Sequence, residues 1–152
     1  MNAVEFLARP RLAQACLERA RQREIALRAL TERVTGKFGL GAEPVSHSRN
    51  NTAMQDAIAA HMEAEGEVER LKEELAAVEL EVGMVLAKLP DGTLYEFMVR
   101  KYLDLEPVGK IAEEMNYSYS WGRWELEKGI TEVQRILDDM EASGESPVMP
   151  EN

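Results

Sequence analysis

Six side chains in the C-terminal third of the chain stand close enough together to act as a group: Ser118, Tyr119, Ser120, Arg123, Trp124 and Lys128. Their types suit recognition of a polyanion better than the making or breaking of bonds. The Arg123 guanidinium matches a guanine edge or a phosphate through paired donors, and the Lys128 ammonium can neutralise a phosphate. Tyr119 and Ser120 carry hydroxyls that can bond the sugar-phosphate backbone, and Ser118 is a residue type that caps a helix. Trp124 is unusual in such company. It and Trp121 are large enough that packing against neighbouring helices is as good an expectation as exposure. Glu125 and Glu127, in the same stretch, oppose phosphate contact.

Positioning such a group requires two short helices that cross steeply, a small residue where they approach, and a tight turn between them. The sequence PVGKIAEEMNYSYSWGRWELEKGI supplies these parts from Pro107 to Ile130. Pro107 suits the first position of a helix running to about Met115, with Ile111 and Met115 facing a core and Ala112 as the small residue. Asn116 tolerates the left-handed backbone that the turn needs. Tyr117 can cover the core, and Ser118 caps a last helix running towards Met140.

This stretch resembles the C-terminal DNA-reading domain of bacterial sigma factors, with a tyrosine-bearing helix, an Ile-Ala helix, a short turn with a serine and then a recognition helix. Upstream, MVRKYLDLEPVGKIAEEMNYS is similar to small prophage-encoded regulators of the same sigma-like class, in which an Arg-x-Tyr helix precedes the motif. Those proteins also carry a long N-terminal helical part joined by a Val-x-x-Ser loop, similar to Val45, Ser46, His47 and Ser48. The likeness touches most of residues 10 to 130. It implies a transcriptional regulator that binds double-stranded promoter DNA, with RNA polymerase or a second copy as partner of the long helices. Two positions depart from the pattern, Gly122 replacing a buried aliphatic residue and Glu125 replacing another apolar one. Glycine costs about 1 kcal/mol of helix propensity and a glutamate resists unpaired burial. A shifted register, with Trp121, Trp124 and Leu126 as the buried face, is the alternative.

The rest of the chain reads as helix. From Arg11 to Val34 a stripe of Ala13, Cys16, Ala20, Arg23, Leu27, Leu30 and Val34 recurs at alternating three and four. Pro10 falls at its first turn, after a short turn of helix over Ala3 to Arg9, and Gly36, Gly39 and Gly41 close it. GKFGLGAEPVSHSRNNT is expected to be a loop of about fifteen residues. From Met54 the same spacing runs through Ala57, His61, Ala64, Val68, Leu71, Leu75, Val78, Val82, Val85 and Leu89, a seam that needs a partner helix. Its flanks are glutamate-rich, whereas the first helix carries Arg19, Arg21, Arg23, Arg28 and Arg33, so an antiparallel pairing of the two is favoured. PDGT then makes a turn, and Thr93 with Glu96 forms a capping box for a helix bearing Leu94, Phe97, Met98, Tyr102 and Leu103.

The expected architecture is therefore all-α: a long antiparallel, coiled-coil-like hairpin over 1–90, a three-helix domain with a helix-turn-helix over 91–140, and a disordered tail over 141–152. The 152 residues carry a net charge of −10, but the acid is uneven. Residues 41–99 hold twelve acidic against four basic side chains, whereas residues 1–40 hold eight basic against four acidic. Local DNA binding is compatible with that distribution, with weak affinity for random sequence. The single cysteine, Cys16, is expected to be a buried small hydrophobe, and His47 and His61 to stand without the neighbours of a zinc site. No metal, cofactor, catalytic group or membrane span is expected, and the cytoplasm is the expected location. The sequence holds no Gly-rich phosphate loop or nucleophile and base pair, so an enzyme is not expected. The alternatives to a regulator are a protein-interaction module of the same fold and a DNA-packaging adaptor like a terminase small subunit.

Overall fold

Ala, Glu, Leu and Arg dominate the composition, and the chain takes up the helical state they favour nearly throughout. The computed structural model describes residues 1–37 and 47–146, which form five helices: α1 (Ala3–Lys37), α2 (His47–Leu86), α3 (Gly92–Tyr102), α4 (Val108–Glu114) and α5 (Tyr119–Ala142). There is no strand among the described residues, and no described helix is long and apolar enough to cross a membrane.

Both long helices exceed their expected bounds. α1 runs unbroken through Pro10, so the separate turn over Ala3 to Arg9 is not observed. A proline inside a helix costs about 3 kcal/mol through a lost N–H bond and ring crowding. Here the ring is fully buried together with Phe6 and Leu7, and that burial offsets the loss. At the other end α1 passes Gly36, and α2 already begins at His47, so His47 to Thr52 are helix and not loop. Gly39, Gly41, Val45 and Ser46 lie outside the described residues.

The chain divides into two compact units, Met1–Ala13 with Leu75–Asn152, and Gln14–Glu74. The boundary expected at residue 90 falls within the first unit. There Ala3, Phe6 and Leu7 of α1 and Val82, Val85, Leu86 and Leu89 from the end of α2 share one core with Leu94, Phe97, Met98, Ile111, Val133, Ile136 and Leu137. Gln134 of α5 holds the start of α1 from both sides: its Oε1 accepts from Ala3 N at 2.7 Å, and its Nε2 donates to Met1 O at 3.0 Å. Arg9 pairs with the buried carboxylate of Glu81 at 2.7 Å, so a charge on the α2 flank is carried inside this unit with its opposite.

In the unit Gln14–Glu74, the α2 seam behaves as its spacing predicts, with Ala64, Val68 and Leu71 buried and Met54, Ala57 and His61 half-covered. The α1 stripe does so only in part, at Ala20, Leu27 and Val34. Leu17 and Ala20 are buried, Glu24, Leu27, Thr31 and Val34 are half-covered, and the expected seam members Cys16, Arg23 and Leu30 are exposed. Cys16 is thus a surface thiol, with Arg19 Nη2 3.4 Å from its sulfur. Contacts between the helices descend on α2 as they ascend on α1: Glu24 meets His61, and Thr31 Oγ1 approaches the Ala57 carbonyl at 3.2 Å. The expected attraction between arginines of α1 and glutamates of α2 is less direct than the charge pattern suggests. Arg28–Glu24, Arg70–Glu67, Arg70–Glu74 and Lys72–Glu69 all close within a single helix. The hydrogen bond from Arg70 holds the Glu67 carboxyl below its ordinary range, with Arg23 only adding to it.

α3 opens on Asp91 instead of the expected Thr93 box. The Asp91 carboxylate accepts from Thr93 N at 2.9 Å and Leu94 N at 3.3 Å, and these backbone bonds lower its pKa. The last helix is also longer than expected. It continues through Ala142 and closes at Gly144 with φ of 79°, inside the stretch anticipated as a disordered tail.

Candidate nucleic-acid interface

The turn between α4 and α5 is built by three backbone decisions. Asn116 takes φ of 67°, the left-handed conformation that asparagine tolerates. This lets Tyr117 N reach back to Ala112 O at 2.8 Å and Asn116 N to Glu113 O at 3.1 Å, satisfying carbonyls left open at the end of α4. Ser118 then caps α5, its Oγ accepting from Trp121 N at 3.1 Å. Pro107 was expected as the first helical residue of α4 and stands instead as its cap, one position before Val108.

Gly122 explains how closely the two helices cross. A Cβ placed there would lie 2.8 Å from Val108 Cγ1 and 3.2 Å from Ala112 Cβ. The glycine is therefore a steric requirement of the crossing, and its helix-propensity cost is the consequence. A Cβ at Gly129, two turns on, would run into the Met98 side chain, so α3 also approaches α5 over a glycine.

With Gly122 and Glu125 buried, the unshifted register holds, and Trp124 does not belong to the buried face. Tyr119, Ser120, Arg123 and Trp124 lie together on the exposed side of the first two turns of α5, Trp124 at 58% exposure. Trp121 is the packed tryptophan: its ring meets Phe97 edge-on at 5.8 Å and stacks on Tyr117 at 3.9 Å. Tyr117 thus covers the core through Trp121, while remaining exposed itself. Arg123 makes no ion pair among the described residues. Lys128 is half-covered, its ammonium 5.4 Å from the Trp124 ring centroid and 3.4 Å from Asp91. Ser118 has its oxygen engaged as a cap, so its contribution is to place the helix.

Glu125 is only 2% exposed, contrary to the expectation that a glutamate would avoid this position. Desolvation pushes its carboxyl above the ordinary range, Lys128 draws it back, and Asp91 adds to the rise.

Arg100 is a positioning residue that sequence reasoning missed. From the end of α3 its Nε bonds Glu106 at 2.7 Å and its Nη2 bonds Glu114, so one guanidinium ties α3, the link to α4 and the end of α4 together. That bond from Arg100 lowers the Glu106 pKa. The link itself turns through Leu105 at φ of 56°, a conformation that a leucine adopts only when its surroundings impose it. The separations from Arg100 to Glu106 and Glu114 follow no helical period, so spacing gave no signal. The Arg-x-Tyr pattern was the only hint.

The face can offer one free guanidinium, two or three hydroxyls, an indole and a partly neutralised ammonium to a ligand. It has no arrangement of nucleophile and base. No protein-family model, no curated protein sequence and no solved structure matches the chain.

Proposed function

We propose that the chain is a DNA-binding transcriptional regulator of the phage or prophage type, acting in the cytoplasm of a bacterial host. In this reading α4 and α5 form a helix-turn-helix, α5 enters the major groove, and α1 with α2 forms a helical hairpin that contacts RNA polymerase or a second copy. The observation that carries it is the exposed group Tyr119, Ser120, Arg123 and Trp124 on the first turns of a capped helix, held against α4 at Gly122. Arg123 supplies base or phosphate recognition, Tyr119 and Ser120 bond the backbone, and Lys128 supports them from one turn away.

Fluorescence anisotropy with duplexes drawn from the DNA upstream of its own gene, at low salt, tests this. A preference over scrambled duplex is expected, with Arg123→Ala weakening it by about tenfold or more. With so few free cations, the salt dependence should be shallow, a slope near one or two. No preference, together with no effect of Arg123→Ala, would refute the reading.

A protein-interaction module is the second reading, favoured by a specific feature. Lys110 is engaged with Glu106, Lys128 with Asp91 and Arg100 with two glutamates, while an exposed tryptophan, tyrosine and arginine are the residue types that dominate protein hot spots. DNA-independent capture of one protein, lost in Trp124→Ala, would support it. Ring-sized assemblies in light scattering would support a packaging adaptor instead.

A further inference from the structure

Two polar contacts cross the helix pairing in the unit Gln14–Glu74: Thr31 reaches the Ala57 carbonyl, and His61 faces Glu24. At the second, three donor atoms converge. His61 Nε2 lies 2.9 Å from Glu24 Oε1 on α1 and 3.3 Å from Glu65 Oε1, one turn along α2. All three lie within 4.8 Å of one another. Glu24 and His61 are each 17% exposed, whereas Glu65 is 57% exposed, so the group is walled by the helices on one side and open to solvent on the other.

As it stands the group is an ion pair between His61 and Glu24 with the exposed Glu65 beside it. An imidazole nitrogen carries at most one proton, and two carboxylate oxygens are presented to it. The shorter contact goes to Glu24 Oε1, and Glu65 faces solvent. A divalent cation would accept all three lone pairs at once. Ligands about 2.1 Å from zinc stand about 3.4 Å apart around a tetrahedron; the 3.3 Å spacing to Glu65 matches that, and the 2.9 Å spacing to Glu24 must open by about half an ångström.

We propose that Glu24, His61 and Glu65 bind a first-row divalent cation, tying α1 to α2 through one imidazole nitrogen and two carboxylate oxygens. Zinc matches that mixed donor set best; calcium and magnesium prefer oxygen alone. Solvent completes the coordination on the Glu65 side. His61 is therefore not the isolated histidine that the sequence suggests. Glu24 lies a full helix away in sequence, and it faces inward only in the register that the structure adopts. A competitor is built in. Arg28 Nη2 lies 3.4 Å from the other oxygen of Glu24, and its positive charge opposes the incoming cation.

Calorimetric titration of chelator-treated full-length chain with zinc chloride is the test, with cobalt(II) absorption as an independent readout of an N/O ligand set. One zinc per chain is expected. Glu65→Gln, on the exposed side where folding is not at stake, should weaken binding by about tenfold or more, and His61→Asn by more than that. Arg28→Gln should tighten binding, an effect that a purely structural ion pair would not produce. Absence of zinc uptake would overturn the proposal. So would uptake left unchanged by both Glu65→Gln and His61→Asn, which would place the metal elsewhere, at Cys16 or His47.

Discussion

The two units are held by different kinds of interior. In the unit formed by Met1–Ala13 and Leu75–Asn152, large side chains such as Phe6, Leu86, Phe97, Met98 and Ile111 are fully buried by partners from several helices. In Gln14–Glu74, the buried residues are fewer, Leu17, Ala20, Ala64, Val68 and Leu71, with a histidine, a glutamate and a threonine among the inward positions. Two helices alone can cover only a stripe of each other, so a seam tolerates polar members that a multi-helix core would exclude. The first interior gives stability and a fixed crossing for α4 and α5. The second gives a register.

Substitutions at five positions test that contrast. The largest effect is expected from Phe97→Ala, which should cost about 3–5 kcal/mol in urea unfolding, against about 2 kcal/mol for Leu71→Ala in the seam. Equal losses would dissolve the distinction between the units. Gly122→Ala comes next. The added methyl meets Val108 and Ala112, and we expect a net loss of about 1–2 kcal/mol despite better helix propensity, together with weaker binding of DNA if the proposed function holds. A stabilised protein with unchanged binding would show that the close crossing is not needed. Ser118→Ala should then cost about 1 kcal/mol, most of it recovered by Ser118→Asp, read by thermal melts.

Glu125→Gln is the smallest and changes sign relative to the others. Because burial raises the carboxyl pKa in the folded chain, the folded state holds its proton more tightly than the unfolded state does. The charge therefore destabilises the fold once the pH exceeds the raised value. Below the ordinary carboxylate range both states are protonated and the penalty vanishes. Glu125→Gln should accordingly stabilise by on the order of 1 kcal/mol or less at neutral pH, and by nothing in acid. A gain that persists unchanged at low pH would remove burial as its cause.

How much of this was legible in the sequence depends on how local the deciding contact is. The α2 seam was readable because its apolar residues repeat without interruption, and Asn116 and Ser118 announced their turn because their reasons lie within three residues. The α1 face was readable at Ala13, Ala20, Leu27 and Val34 and misread by one position at the three places between them. Cys16, Arg23 and Leu30 form as regular a series as Leu17, Glu24 and Thr31, and only the partner helix decides between them. Asp91 and Thr93 compete for the same cap, and the carboxylate wins by accepting two backbone donors. Gly122 looked like a defect because its reason is a methyl on another helix. The part played by Ala3, Phe6 and Leu7 in the C-terminal core had no local signature at all.

That last feature bears on the order in which the protein can be made. Synthesis delivers Phe6 and Leu7 first, yet they share a core with Val133, Ile136 and Leu137, and Ala3 N bonds a side chain 131 residues later. The α1–α2 pairing, closed by a short connection, can form on the ribosome; the core cannot close until α5 has emerged. Contacts so distant in sequence fold slowly, and until then Phe6 and Leu7 remain open to unintended partners. A nascent chain stalled before α5 should therefore be recognised by chaperones around Phe6 and Leu7, and released from them when α5 arrives.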